Sequence, residues 1–263
     1  MKNPKISIVM GYYNRKQHLL NTLWSISKSR YNNFEVIIVD DGSTVSHRVR
    51  DLEKEYDFLK VYRINIKEKT YENPCIPLNT AISHSTGDVI ILQNPECFHY
   101  DDIIRHTAHN MEEGKYLAFS TINKDSVNLI TKYMNKNNMK KLKELITIGS
   151  KDRWYCHGEH RPKALNFCTA ITRKDLADLN GFDERYAYGI ERDDAEFLER
   201  IIRKGMEIVF VDDHLVIHQK HDTVYYDKPN SKDLRKHNHE LFKNTTEVED
   251  IIRVNPDKII LSV

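Results

Sequence analysis

The sequence predicts an α/β fold with a largely parallel central sheet, and three observations predict it. Short β-rich runs alternate with helix-period segments through the first half of the chain. Several runs are apolar without a break, the pattern of strands covered on both faces. Polar, tight-turning segments follow the first, second and fourth runs, where an open parallel sheet binds its ligands.

The elements follow in order. Ile6 to Met10 reads as the first strand, and Leu19, Leu20, Leu23, Trp24 and Ser27 recur at helical spacing after Asn14. Phe34 to Val39 and Leu59 to Ile64 read as the next two strands. Leu78, Ala81 and Ile82 mark a helix that Ser85-Thr86-Gly87 stops, before strands at Asp88 to Leu92 and Tyr116 to Ser120. Thr121 to Arg161 is longer and polar. Its interrupted apolar stripe (Leu129, Ile130, Tyr133, Met134, Leu142, Leu145, Ile146) predicts a helical excursion over the sheet edge, with the basic run Lys136 to Lys143 as a solvated helix face. Regular structure resumes with a strand from Phe167 to Thr172, a helix from Lys174, a Gly181 stop, a helix over Asp193 to Lys204 and a strand over Glu207 to Val211. Ser231 caps a helix to about Lys243, and Lys258 to Val263 closes the chain as an edge strand or a tail.

Composition bounds the function. The 40 Lys+Arg against 39 Asp+Glu in 263 residues give a formal charge of +1, which carries no footprint for nucleic acid or an anionic membrane. No apolar run approaches the roughly 18 to 20 residues of a bilayer span, so a soluble, cytoplasmic protein without signal peptide is expected. Cys75, Cys97, Cys156 and Cys168 show no C-x-x-C spacing and read as reduced thiols.

The chemistry is expected at the strand ends: Gly11-Tyr12-Tyr13-Asn14, Asp40-Asp41-Gly42-Ser43 and Gln93-Asn94-Pro95-Glu96. Asp-Asp-Gly-Ser alone also reads as an ordinary turn. Neither G-x-G-x-x-G after the first strand nor a G-x-x-x-x-G-K-[ST] occurs, which argues against a dehydrogenase or a P-loop enzyme. A diphosphate ligand would then need side-chain donors or a divalent cation. Tyr13 offers a face for a base, and Asp41 an acceptor for a base N–H or a ribose hydroxyl.

These residues carry a family resemblance. Ile6-Ser7-Ile8-Val9-Met10-Gly11-Tyr12-Tyr13-Asn14-Arg15 and Phe34-Glu35-Val36-Ile37-Ile38-Val39-Asp40-Asp41-Gly42-Ser43 resemble the opening of glycosyltransferase family 2. Asn79, Gly87 to Leu92, Gly181-Phe182-Asp183-Glu184 and Asp193 to Arg200 extend the resemblance over residues 5 to 222. It implies a GT-A fold, Rossmann-like, with a nucleotide-sugar donor and usually inversion at the anomeric centre. A donor-binding half over 1–96, an acceptor and catalytic half over 97–222 and a C-terminal extension over 223–263 follow from it.

By the same resemblance, Gly11, Tyr13, Asn14, Asp41, Asn79, Gln93 and Asn94 are expected on the donor. The family's metal-binding D-x-D is replaced by Gln93-Asn94-Pro95-Glu96, where only Glu96 supplies the hard anionic oxygen that Mn²⁺ or Mg²⁺ prefers. Either Glu96 takes the aspartate's place, or the metal binds weakly or not at all; His218 resembles a histidine ligand of some GT-A enzymes, and His221 is a lesser candidate. Asp193 to Arg200 resembles E-D-x-D-L-x-x-R, with Asp194 at the catalytic base. A positioned carboxylate that takes the acceptor's proton contributes about 10² to 10⁴ in rate. Asp193 also reads as a helix cap, compatible with a place on the acceptor. Trp154 reads either as an acceptor platform or as a packing anchor of its loop.

The sequence therefore predicts an inverting glycosyltransferase acting on a UDP-sugar and an acceptor hydroxyl. Its rival is a non-catalytic carbohydrate-binding or scaffold module that keeps the fold without the D-x-D. A nucleotidyltransferase would need a Gly-rich basic loop near its N-terminus, which this sequence lacks.

Overall fold

A computed structural model describes residues 2–124, 127–135, 138–147, 153–222, 227–247 and 251–262. Three apolar runs and one alternating run become adjacent parallel strands: β1 (Ile6–Tyr12), β2 (Phe34–Asp40), β3 (Leu59–Arg63, the alternating one) and β4 (Val89–Gln93). Ile6 pairs with both Phe34 and Val89, and Val36 with Leu59, so their carboxyl ends share one rim. Alternation along β1 decides which helix covers which face. Ile8 and Met10 pack with Leu19, Leu23 and Ile26 of α1 (Lys16–Ile26), whereas Val9 packs with Leu78, Ala81 and Ile82 of α2 (Cys75–His84).

The second half is mixed rather than parallel. β5 (Cys97–His99), β6 (Lys115–Lys124), β7 (Trp154–Cys156), β8 (Cys168–Thr172) and β9 (Glu207–Gln219) complete a sheet ordered β3-β2-β1-β4-β8-β6-β9-β5, with β7 beside β6. β8 runs antiparallel to both β4 and β6, while β6 and β9 are parallel. The strand expected to end at Val211 continues to Gln219, because Asp212, Asp213 and His214 bulge out between Val211 and Leu215 and the pairing then resumes.

The helix α3 (Ile103–Asn110) was not legible as a periodic stretch; Asp102 caps it, accepting from Arg105 N at 3.2 Å. The excursion carries α4 (Val127–Asn135) and α5 (Met139–Thr147), whose Ile130 and Leu142 form a satellite core with Phe98, Ile122, Leu215 and Ile217. Of the basic run, Lys136 lies outside the described residues, and Lys140, Lys141 and Lys143 are exposed on α5. After α6 (Arg173–Leu179) and α7 (Asp193–Arg203), α8 (Ser231–Glu247) reaches four residues past its expected end. The described tail from Lys258 forms no strand, yet Val254, Ile260 and Leu261 are buried. All four cysteines are buried and free. Among the described residues, no helix is long and apolar enough to cross a membrane.

Candidate active site

The rim begins with a staple between two strand ends. Asn14, in the left-handed region at φ 51°, donates its N–H to Ser43 Oγ (3.0 Å) and accepts from Thr44 N through Oδ1 (2.9 Å). It fixes the loop after β1 to the loop after β2. Gly11 is turned to α2, where an added Cβ would meet Pro77 at 3.6 Å. Asp40 is spent internally, on Ser43 N (2.8 Å) and on Arg63. Asp41 differs: Tyr71 donates to its Oδ1 at 2.6 Å and Lys69 Nζ to its Oδ2 at 2.6 Å. Lys69 also lies 5.1 Å from the ring centre of Tyr13, which is 43% exposed. An open aromatic face beside a carboxylate with acceptor capacity left is suited to a heterocyclic base.

Two residues expected on the donor point inward instead. Asn79 is buried on α2 and clamps the Gly181 turn, donating to Phe182 O (2.9 Å) and accepting from Phe182 N (2.8 Å). Gln93 is buried under the rim, its Oε1 2.7 Å from His99 Nε2. Strand alternation explains the second: Gln93 is the last residue of β4, and Asn94, one residue on, faces out.

Asn94 lines a cleft of about 600 Å³, whose wall includes Asn73, Pro74, Asn166, Phe167, Asp193 and Asp194. Asp193 and Asp194 open α7 after two residues with positive φ, Glu191 (67°) and Arg192 (74°). That bend presents both carboxylates to the cleft. Asn73 Nδ2 donates to Asp193 Oδ1 at 2.7 Å, and Asp194 Oδ1 accepts from Ala195 N at 2.7 Å. Burial, and then the charge of Asp194, push the Asp193 carboxyl up; burial raises that of Asp194 as well. Asp41 and Tyr13 are outside this lining, but one short segment joins the two poles: Tyr71 holds Asp41, and Asn73, two residues later, holds Asp193.

Trp154, the expected acceptor platform, does not line the cleft. It packs on the satellite core, with its ring centre 4.4 Å from that of His157. β7 pairs with β6 with Trp154 opposite Ile122, and the tryptophan packs in the cluster of Ile130 of α4 and Leu142 of α5.

Behind Phe167 lies a charged cluster. Glu96 is 1% exposed; its Oε1 is 3.2 Å from His218 Nε2 and 3.0 Å from His221 Nε2. Arg15 Nη1 donates to both its oxygens at 3.0 Å. Burial pushes this carboxyl up, but Arg15 and the two histidines outweigh it and hold it well below the usual carboxylate range. Gln219 builds the junction: its N–H and Nε2 both donate to Glu96 O (3.1 and 3.0 Å), which locks the end of β9 against the loop after β4. One carboxylate oxygen and two imidazole nitrogens within 4.8 Å of one another fit a divalent cation. Among the described residues, the buried His218 Nδ1 has no hydrogen-bond partner, and the ring is held from its Nε2 side and by T-shaped contacts with Tyr155 and Phe167.

Sequence reasoning assigned no role to Arg15, Lys69, Tyr71 or Asn73. Arg15 lies in the run that carries the family resemblance, and Asn73-Pro74 is a turn-initiating dipeptide; Lys69 and Tyr71 gave no signal.

The model of the family described as "Glycosyl transferase family 2" matches residues 7–178, and that described as "N-terminal domain of galactosyltransferase" matches residues 162–222. EpsE of Bacillus subtilis (strain 168) is 37% identical over 92 residues, 35% of this chain and 32% of EpsE. The amylovoran biosynthesis glycosyltransferase AmsB of Erwinia amylovora is 23% identical over 224 residues, 80% of this chain and 68% of AmsB. The mannosyltransferase PcManGT from Pyrobaculum calidifontis, solved in complex with GDP-Man and Mn²⁺, superposes with a TM-score of 0.54 at 17% identity, over 81% of this chain and 56% of that one. This chain thus spans about a third of EpsE and little more than half of PcManGT, a likeness to the latter that shows the GT-A fold.

Proposed function

Because the chain belongs to glycosyltransferase family 2, we propose that it is an inverting glycosyltransferase, moving a sugar from a UDP-sugar to an acceptor hydroxyl with Asp194 as general base. One observation carries this reading: the segment from Tyr71 to Asn73 ties Asp41, beside the open Tyr13 face, to the acidic start of α7 in the cleft. The base stacks on Tyr13 and donates an N–H to Asp41, and the diphosphate extends past Asn94. The acceptor enters between Asn166 and Asp193, with its hydroxyl on Asp194. Asp194 takes the proton as the new bond forms, and the diphosphate leaves from the opposite side of the sugar, so no second acid is needed.

Glu96, His218 and His221 would hold the divalent cation. The mixed carboxylate and imidazole set suits Mn²⁺ better than Mg²⁺. When bound, that ion supplies counter-charge to the departing diphosphate. Arg15 is a second source of positive charge on the same rim.

Assays with UDP- and GDP-sugars, with Mn²⁺ and with chelator, test the reading. The expected result is turnover or slow hydrolysis of a UDP-sugar, a product of inverted anomeric configuration by NMR, and transfer lowered by about 10² to 10⁴ in Asp194→Asn. Absence of turnover or hydrolysis for every donor would favour a carbohydrate-binding module instead.

A further inference from the structure

A second cluster of ligating side chains lies outside the cleft, where α3 meets β9. A recess of about 180 Å³ there is lined by Arg30, Asp102, Arg105, His106, His109 and His214, none of which lines the cleft. The bulge in β9 makes it. Three residues, Asp212 to His214, are inserted opposite the consecutive Phe119 and Ser120, and a bulge of this kind re-aims side chains. Asp212 is used on β6 and its neighbour loop, accepting from Ser120 Oγ (2.7 Å) and Gly158 N (2.8 Å). Asp213 and His214 instead meet His106 of α3.

The geometry is that of an ion site. One oxygen of Asp213 and one nitrogen each of His106 and His214 lie within 4.8 Å of one another, and the two rings are 4.1 Å apart between centres. His214 Nδ1 and Asp213 Oδ1 are 2.9 Å apart, and the Phe119 ring braces His106 edge to face at 5.7 Å. Two hydrogen bonds tie the segment before α3 to β9: Tyr100 N donates to Leu215 O (3.0 Å), and Leu215 N to the Asp101 side chain at Oδ2 (2.9 Å). The ligands are therefore positioned before any ion arrives, which lowers the ordering cost of binding. Of the cations at the recess, Arg30 is paired with Asp102 at 3.7 Å.

We infer that His106, Asp213 and His214 form a divalent-metal site, separate from the cleft, that takes a borderline transition ion such as Zn²⁺ and pins α3 to the bulge of β9. Two imidazoles and one carboxylate, with water in the fourth position, complete a tetrahedral shell of the kind Zn²⁺ prefers. The inference does not depend on the proposed transferase activity. Its rival is an oxyanion, held by Arg105 and the same histidines in their protonated form.

Calorimetric titration of the full chain with Zn²⁺, and separately with inorganic phosphate, decides between them. His106→Ala and the milder His106→Gln, with folding checked by circular dichroism, should each lose one equivalent of Zn²⁺ or bind it more than about tenfold more weakly. Glu96→Gln should retain that equivalent, and transfer by His106→Ala should match that of the unaltered chain. A Zn²⁺ isotherm unchanged in both His106 variants overturns the inference. So does phosphate uptake that His106→Ala abolishes while Zn²⁺ binding stays the same.

Discussion

Asp193 and Asp194 share one bend, and with Asp194 as the proposed base their raised carboxyls predict how activity depends on pH. A folded-state carboxyl above its unfolded value favours the protonated form. Its stabilising contribution is full below the ordinary carboxyl range and is lost as pH rises through the folded pKa. A general base needs the other form, so transfer should fail on the acid side at a pH above the roughly pH 4 of an ordinary aspartate. The pair titrates as a unit. Asp193→Asn removes one charge and should move the acid limb of the rate profile to lower pH, and a limb that stays in place would remove the pair as its source. Asp194→Asn should cost about 10² to 10⁴ in rate with UDP binding kept, read by turnover and by calorimetry. The same logic applies to Glu96, whose oxygens Arg15 already occupies. Glu96→Gln should weaken Mn²⁺ binding by more than about tenfold, whereas Arg15→Gln, which removes a competitor for the carboxylate, should tighten it. Electron paramagnetic resonance of Mn²⁺ reads both without turnover.

The bend before α7 is held by α8, an element the sequence assigned only to an extension. Asn238, fully buried on α8, donates to Glu191 O (2.7 Å) and Tyr186 O (3.1 Å), and Ile190 N donates to Leu234 O (3.2 Å). Contacts of this kind hold Glu191 and Arg192 at positive φ, a conformation that costs of order 1–3 kcal/mol per residue. Asn238→Ala should therefore lower kcat severalfold with UDP affinity unchanged, and an equal fall in both would point to general unfolding. Gly189 permits the approach of α8: a Cβ there would stand 2.1 Å from Asn238 Oδ1 and 2.7 Å from Leu234 O. Gly189→Ala should be destabilising by about 1–3 kcal/mol through overpacking, measured as a lower urea midpoint. The sequence disclosed α7 and its two aspartates through a recognisable motif, β1, β2 and β4 through apolar runs, and β3 through alternation. It did not disclose β5 and β7, since three residues are too short for periodicity, nor the continuation of β9 past its polar bulge. Lys69, Tyr71 and Asn73 stayed hidden for a related reason: they lie in a loop with no repeating pattern, and only the fold brings them to Asp41 and Asp193.

The last described residues close the molecule rather than trail from it. Asn180, in the left-handed region at φ 57°, donates to Val254 O (2.8 Å) and Lys258 O (2.7 Å) and accepts from Ile260 N (2.8 Å). Ile260 and Leu261 join Leu179, Phe182 and Phe197 in the core on the α7 side of the sheet. Arg200, 1% exposed, gathers the same region: it pairs with Glu196 at 2.6 Å and donates to Leu179 O and Gly181 O at 2.9 Å. Removing residues 251–263 would leave the Asn180 amide unpaired and strip apolar cover from Phe197, at about 1–3 kcal/mol for each buried polar group left unpaired. Such losses compare with the whole stability of a domain, about 5–15 kcal/mol. The truncated chain is therefore expected not to fold, and a cooperative urea transition at the full-length midpoint would show that the tail is dispensable. Arg200→Ala separates the ion pair from the tail. It strands Glu196 in the interior and should be destabilising by about 3–5 kcal/mol, whereas the double replacement Arg200→Met with Glu196→Leu should recover much of that loss. If the double variant is no more stable than Arg200→Ala, the carbonyl contacts of Arg200, not its charge partner, hold α7 to the Gly181 turn and so keep Asp194 over the cleft.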